Sequence, residues 1–381
     1  MGKHIYADNA ATTKLDLEAF EAMKPWLLDE YGNASQPYSF SRRPKEALKK
    51  ARETIAECIN ALPEEIYFTS GGTESDNWAI KGVAFNNYNH RATITSAFEH
   101  HAVLHACEAI EKLGYPVSYM WPDKRGVITR EKLESYITDE TLLVSVMFAN
   151  NELGTIQPIQ ELCAVAHSHN ALFHTDAVQA VGHVAIDVKK LGVDMLSASA
   201  HKFNGPKGIG FLYIRKGIEL PPYSDGGAQE NGMRAGTENI ASIVGMAVAL
   251  KKNVDALSAN REFLISLERM FMKKLNESDV SYIRNGGDNT LPGIISLSFD
   301  GKSGEAILHR MDLLGISIST GSACDSKNTE ISHVLQAIRL PDSLAKGTIR
   351  ISLGTNNTEN DVDAIVDGLK KILVKQNIGE V

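Results

Sequence analysis

Cysteine is scarce and scattered in this chain: four residues among 381, at Cys58, Cys107, Cys163 and Cys324. No two of them stand as C-x-x-C, so neither a zinc site nor a disulfide framework is indicated. Basic residues are outnumbered, 39 Lys and Arg against 47 Asp and Glu, and they form no run; an acidic chain of net charge −8 is a poor match to nucleic acid. No apolar stretch is long enough to cross a bilayer. The start, Met1-Gly-Lys-His-Ile-Tyr6, lacks the apolar core of a secretion signal, and Tyr6 departs from the myristoylation pattern. A cytoplasmic protein with no nucleic-acid or membrane partner is expected. Internal repeats and low-complexity segments are missing too. What is present, 43% hydrophobic and 23% charged residues, is ordinary for a folded globular chain, and the length allows two domains.

Strand patterns alternate with helical ones. Asp16 reads as an N-cap before Leu17, Phe20 and Met23, residues 1–15 as irregular, and Pro44 as opening an amphipathic helix to about Asn60. Strands are predicted over 66–70, 93–96, 142–148, 171–176, 195–199 and 210–215, with a helix over 99–113. These strands are apolar on both faces, which predicts a mostly parallel sheet covered on both sides. A helix from Asn239 should lead into a long charged connection. After about residue 255 come a helix over 263–275, short strands over 294–298, 316–318 and 348–352, and a last helix capped by Thr358 and Asp361. The expected architecture is therefore α/β. A large domain, 16–255, joins a smaller α+β domain made of 1–15 and 256–381.

The stretch Leu196-Ser-Ala-Ser-Ala-His-Lys-Phe-Asn-Gly205 stands out. Lys202 lies where a buried strand gives way to a turn, between Ala200, His201 and Phe203 and away from other charges. That setting suits a lysine of depressed pKa that forms a Schiff base with a carbonyl cofactor; an ordinary loop lysine is the plainer alternative. Pyridoxal phosphate (PLP) would need further groups, and candidates exist. Gly71-Gly-Thr-Glu-Ser-Asp-Asn77, between a strand and a helix, has the layout of a phosphate nest or of a simple tight turn. Thr73 and Ser199 could add hydroxyls to it, with His201 beside them. Asp176 ends a strand and could hold a pyridinium nitrogen, or cap a helix. Gln179 and Asn151 could reach a ring hydroxyl. His100 could stack on the ring and move protons, or bond backbone at a helix start; His101 and His105 read as surface or packing residues. Cys58, Cys107 and Cys163 fall on helical core stripes, whereas Cys324 lies in the small, polar Ser319-Thr-Gly-Ser-Ala-Cys-Asp-Ser-Lys327, where a reactive thiol can stand.

These segments resemble those of the NifS/IscS-type cysteine desulfurases, PLP enzymes of the aspartate-aminotransferase fold. The matching motifs run through almost the whole chain: Tyr6-Ala-Asp-Asn-Ala-Ala-Thr-Thr13, Phe68-Thr-Ser-Gly-Gly-Thr-Glu-Ser-Asp-Asn77, Glu99-His100, Asn150-Asn-Glu-Leu-Gly154 and His174-Thr-Asp-Ala-Val-Gln179. They continue with Ser199-Ala-His-Lys202, Arg234-Ala-Gly-Thr-Glu-Asn239, Gly321-Ser-Ala-Cys324 and Ile349-Arg-Ile-Ser-Leu-Gly354.

The resemblance implies that Lys202 holds PLP, Asp176 pairs with its ring nitrogen and His100 stacks on the ring. It further implies that Gln179 and Asn151 contact the ring oxygen. Gly72, Thr73, Ser199 and His201 would cradle the phosphate, together with Thr237 from a neighbouring subunit of a homodimer. Arg350 and Asn33, with Ala11 and Thr12, would receive the L-cysteine substrate. Cys324 would attack the substrate sulfur, giving alanine and a Cys324 persulfide for a sulfur-acceptor protein of iron–sulfur cluster assembly or thio-modification. An unassisted thiol of pKa ~8.5 is only a few per cent thiolate at neutral pH, so local help is expected, Lys327 favouring the anion and Asp325 opposing it. A mobile loop over 321–331 is also expected.

Tyr38 and Ser41 stand where family members often have His and Gly, and Thr348 where Ser is common. The Gly-Ser-Ala-Cys form resembles the IscS/NifS branch more than the SufS branch. A selenocysteine lyase or an aminotransferase of the same fold, or a non-catalytic scaffold for iron–sulfur assembly, are the competing readings. Cys324 argues against the aminotransferase, and intact Lys202, Asp176 and Cys324 against the scaffold.

Overall fold

In the computed structural model, which describes residues 4–86, 91–320 and 331–374, apolar strands collect into one large sheet. The strands among the described residues are β1 (Ile5–Tyr6), β2 (Ile66–Thr69), β3 (Ala92–Ser96), β4 (Val117–Met120), β5 (Thr141–Ser145), β6 (Leu172–Asp176), β7 (Met195–Ser199), β8 (Gly210–Ile214), β9 (Ile283–Asn285), β10 (Ile294–Ser298), β11 (Ile316–Ser317) and β12 (Thr348–Ser352). The central sheet has the order β2-β8-β7-β6-β5-β3-β4. Pairing is parallel from β4 to β7, and β8 runs antiparallel to both β7 and β2.

Residue parity along the strands separates two cores. Val144, Phe173, Leu196, Phe211 and Tyr213 face one side, where Ile55 of α2 (Arg42–Cys58) and Leu162 and Met246 of later helices cover them. Leu143, Met195, Leu212 and Ile214 face the other, under Trp78 and Ile80 of α3 (Gly72–Phe85) and Val103 and Ile110 of α4 (His101–Glu111). Both faces are thus dry, and the polar residues at the strand ends are the part of the sheet left to meet a ligand. Asp16 caps α1 (Leu17–Leu28) by accepting from Glu18 N and Ala19 N.

A second sheet, β12-β10-β9, is antiparallel. Leu264, Leu267 and Phe271 of one helix and Val362, Ile365 and Leu369 of the last helix pack with Ile295, Leu297, Ile349 and Ile351 of its strands. Thr358 and Asp361 form the expected reciprocal cap of that last helix.

Three expectations need correction. Residues 1–15 are not wholly irregular: β1 pairs in parallel with β11, a partner so distant and so short that no local pattern reveals it. The charged connection after Leu250 is helical. Ile240–Asp255 is followed after Ala256 by Leu257–Asn276, whose charges lie outside while Leu264, Leu267, Phe271 and Leu275 are buried. Strand β5 ends at Ser145, not at 148, although Val146 N and Phe148 N still donate to His174 O and Asp176 O. β4 and β9, an edge strand and a partly exposed one, had no alternating pattern to betray them.

Candidate active site

Where β2, β6 and β7 end, a cavity of about 550 Å³ opens between the two sheets. Its floor begins at Gly71 and Gly72, where β2 turns into α3. A Cβ on Gly72 would sit 2.5 Å from Val178 Cγ2, and one on Gly210 would sit 2.7 Å from Gly71 Cα. Only bare backbone fits, which leaves the first N–H groups of the 14-residue α3 facing the cavity. Ser199, at the end of β7, has its hydroxyl 3.4 Å from where a Gly71 Cβ would stand.

Beyond Ser199 the chain makes a single tight turn, Ala200–Lys202. Lys202 Nζ donates to the carbonyls of Ala10 at 2.5 Å and Ala11 at 2.9 Å. Asp176, 5% exposed, accepts from Val178 N at 2.9 Å. Burial pushes its carboxyl up to about 6, against the pull of that N–H and of the Lys202 charge. Asp176 therefore both caps the following turn and presents a carboxylate to the cavity. Gln179 Nε2 donates to Ala10 O at 2.9 Å, and His201 Nδ1 lies 3.1 Å from Thr12 Oγ1.

His100 is the N-cap of α4: its Nδ1 accepts from Ala102 N at 3.1 Å, so the ring proton belongs on Nε2. The backbone-bonding role and the cavity-lining role coincide in one side chain. Burial, then the charge of Lys202, lowers its pKa to about 4, so a near-neutral titration does not describe it. It is a neutral ring that acts by stacking or as a hydrogen-bond partner.

Arg350 enters from β12. Its neighbours Ile349 and Ile351 face the second core, so strand alternation turns Arg350 the other way, toward the cavity wall. Nη1 donates to Asn151 O at 2.9 Å and Nη2 to Asp8 Oδ1 at 2.7 Å, while Nε has no partner among the described residues. A guanidinium 4% exposed with an unused donor is equipped to take a carboxylate.

Of the residues singled out in the sequence, Ala11, Thr12, Gly72, Thr73, His100, Asn151, Asp176, Gln179, Ser199, His201, Lys202 and Arg350 line this one cavity. Asn33 and Thr237 are not among its lining residues. Asn33 Oδ1 accepts from Ser35 N at 2.8 Å within its own loop, and Thr237 is exposed. Cys324, Asp325 and Lys327, and all but the last residue of the expected 321–331 loop, lie outside the described residues. Cys107 and Cys163 are buried and Cys58 partly so.

Several residues in the wall or in contact with it carried no assigned role. Asp8 pairs with Arg350, Asp76 lies deep beside Asp176, and Ser332 Oγ donates to Glu152 Oε2 at 2.7 Å. Glu99, fully buried, accepts from Ser96 Oγ at 2.5 Å and Met147 N at 2.9 Å, and burial drives it up to about 8. His333 Nε2 lies 2.9 Å from Glu99 O. Asp76, Glu99 and Glu152 stand inside the quoted motifs; an acid amid residues bound for the core was the signal available.

The cavity suits PLP on its own terms. It offers a side-chain-free nest for a phosphate, a buried carboxylate for a ring nitrogen and a lysine amine in the same wall. The aminotransferase class-V family matches residues 5–365. The cysteine desulfurase IscS of Dictyoglomus turgidum is 48% identical over 378 residues, covering 98% of this chain and 96% of that protein. A solved NifS-like protein superposes with a TM-score of 0.92 at 37% identity, covering 97% of this chain and 99% of its own. The structure described as SspA in complex with cysteine superposes with a TM-score of 0.84 at 39% identity, covering 93% and 100%. The chain belongs to the class-V aminotransferases, among the PLP-dependent cysteine desulfurases of IscS/NifS type.

Proposed function

We propose that this enzyme, a cysteine desulfurase, works through the residues gathered in the cavity between its sheets. It takes the sulfur from L-cysteine, releases L-alanine and leaves a persulfide on Cys324. The observation that carries the residue assignment is the convergence of the Lys202 amine, the Asp176 carboxylate and the glycine nest on one cavity that Arg350 closes. Bound PLP supplies an aldehyde for an amine and a ring that accepts electrons from the substrate.

The chain's own residues do the rest. Gly72, Thr73, Ser199 and His201 hold the phosphate by backbone N–H, hydroxyl and imidazole groups. Asp176 keeps the proton on the ring nitrogen. His100, a neutral imidazole, would stack on the ring, and Gln179 and Asn151 would orient the ring oxygen. Arg350 takes the substrate carboxylate, with Ala11, Thr12 and Asn33 completing that side. The Lys202 amine would be the base that removes the proton from the substrate Cα. Cys324, as the thiolate, bonds to the substrate sulfur; the C–S bond breaks and its electron pair stays with carbon.

Residues 16–255 would then bear the cofactor, and 1–15 with 256–381 the substrate arginine and the nucleophile. The enzyme is read as a cytoplasmic homodimer in which Thr237 reaches the phosphate of the neighbouring subunit. Its exposure and its place outside the cavity of its own chain favour that use. The acceptor of the sulfur is a protein of iron–sulfur assembly or thio-modification. The test is to feed cysteine to Cys324→Ser and Lys202→Ala variants. Cys324→Ser should keep the cofactor's colour and produce neither sulfide nor a protein-bound sulfane sulfur. Lys202→Ala should lose covalently held cofactor. Normal turnover by Cys324→Ser would remove that residue from the chemistry.

A further inference from the structure

The face of the central sheet beneath α3 carries polar side chains that the reaction above leaves without a task. Leu143 and Met195 meet α3 and α4 there, so by alternation Ser145 and Ser197 share that face, and register brings His174 and Asp176 beside them. His174 Nδ1 is 2.8 Å from Ser145 Oγ and its Nε2 is 3.0 Å from Ser197 Oγ. Asp76 comes down on this row from α3, 1% exposed and at the cavity wall. Its Oδ1 is 3.6 Å from His174 Nε2 and has no hydrogen-bond partner among the described residues. A carboxyl buried with an oxygen unmatched calls for an explanation.

We propose that Asp76 is a positioning residue for the reaction: Asp76 and Asp176 form a neighbouring pair of buried carboxyls in which Asp76 carries the proton, so that Asp176 alone presents negative charge to the ring nitrogen. This rests on the assignment of Asp176 to that nitrogen. Two neighbouring carboxyls buried away from water do not both ionise at neutral pH. Burial, then the Asp176 charge, pushes Asp76 well above the carboxylate range. Asp176 rises less because Val178 N and the Lys202 charge hold its carboxylate.

The surrounding groups offer Asp76 no counter-charge. Burial lowers His174 to about 3 and, with the Lys202 charge, His100 to about 4, so both rings are neutral. Glu99, raised to about 8, is the neutral acid. Tyr67 on β2 and Cys107 on α4, which also meet α3, are raised by burial and stay neutral. His174, the ring that Asp76 approaches, meets the hydroxyl of Ser197, which stands opposite Asp176 in the sheet.

Asparagine imitates the protonated acid, and alanine removes it. In the cofactor-loaded enzyme, Asp76→Asn should leave the pH midpoint of the cofactor's absorbance in place. Its infrared difference spectrum against the parent should lose one protonated-carboxyl band at neutral pH. Asp76→Ala should move that midpoint and weaken binding of PLP to the cofactor-free protein by roughly tenfold, the scale of one buried hydrogen bond. A midpoint shifted by Asp76→Asn, or an unchanged carboxyl band, makes Asp76 an ionised group and overturns the proposal. An unmoved midpoint and affinity in Asp76→Ala reduce it to packing and overturn it equally. If the alanine variant does not fold, the asparagine variant and its band still decide. Failure of the parent enzyme to hold PLP in the cavity would instead sink the reading of the site.

Discussion

Arg350, in the cavity wall and 4% exposed, pairs with Asp8, Nη2 to Oδ1 at 2.7 Å. The pair keeps the guanidinium oriented while Nε stays unused. Arg350→Lys retains the charge and loses the fork, so kcat/KM for cysteine should fall about tenfold to a hundredfold, mostly through KM. The cofactor's absorbance should be unaffected. Steady-state kinetics alongside an absorption spectrum check both halves of that statement.

Glu152 and Ser332 define a pH-dependent element of stability. Burial raises Glu152 from its usual value to about 7, so between those two values the folded chain holds a proton that the unfolded chain has released. Stability from this group therefore declines as pH rises from about 4.5 to about 7 and levels off above. Glu152→Gln keeps an acceptor for Ser332 and abolishes the decline. Its unfolding midpoint in urea should gain on the parent's across that window, by on the order of 3 kcal/mol at most.

His174 acts in the opposite sense. With a pKa lowered to about 3 by burial, it stays neutral while the unfolded chain takes up a proton below about 6.5. Stability should fall as pH drops through that range, and His100 and His201, each lowered to about 4, should add to the loss. His174→Gln should reduce by about one the protons taken up on unfolding near pH 5, measured from the pH dependence of urea unfolding.

Arg52 and Glu230 form a buried pair, with side chains 18% and 4% exposed and the nitrogen and oxygen 2.6 Å apart. Glu230 also accepts from Phe68 N at 2.9 Å. The pair fixes a turn in which Glu230 and Asn231 both hold left-handed backbone angles, φ 49° and 58°. Arg52→Met leaves a buried carboxylate uncompensated and should cost about 3 kcal/mol in thermal or chemical unfolding. The loss should be partly recovered in a double variant with Glu230→Gln.

The central sheet and most of the site were legible because each rests on a local signal. The strands around Asp176 and Lys202 are unbroken apolar runs that end in a polar residue, and the nest is a pair of glycines between strand and helix. What escaped depends on distance. β1 is two residues long and exists only through β11. The partnership of Asp8 with Arg350 joins opposite ends of the chain. Asp76 reads as an ordinary polar position in the first turns of a helix, and only the packing of α3 on the polar row under it gives it company. The lowered pKa of His100 likewise comes from burial and from Lys202, neither of which a sequence displays.

The first and last thirds of the chain are stitched together at the cavity. Asn9 Nδ2 donates to Ser352 O at 2.9 Å, and Ser352 N donates to Ala7 O at 2.8 Å, one residue pair along from Arg350. A ribosome must therefore have delivered the chain through β12 before the wall that holds Arg350 can form.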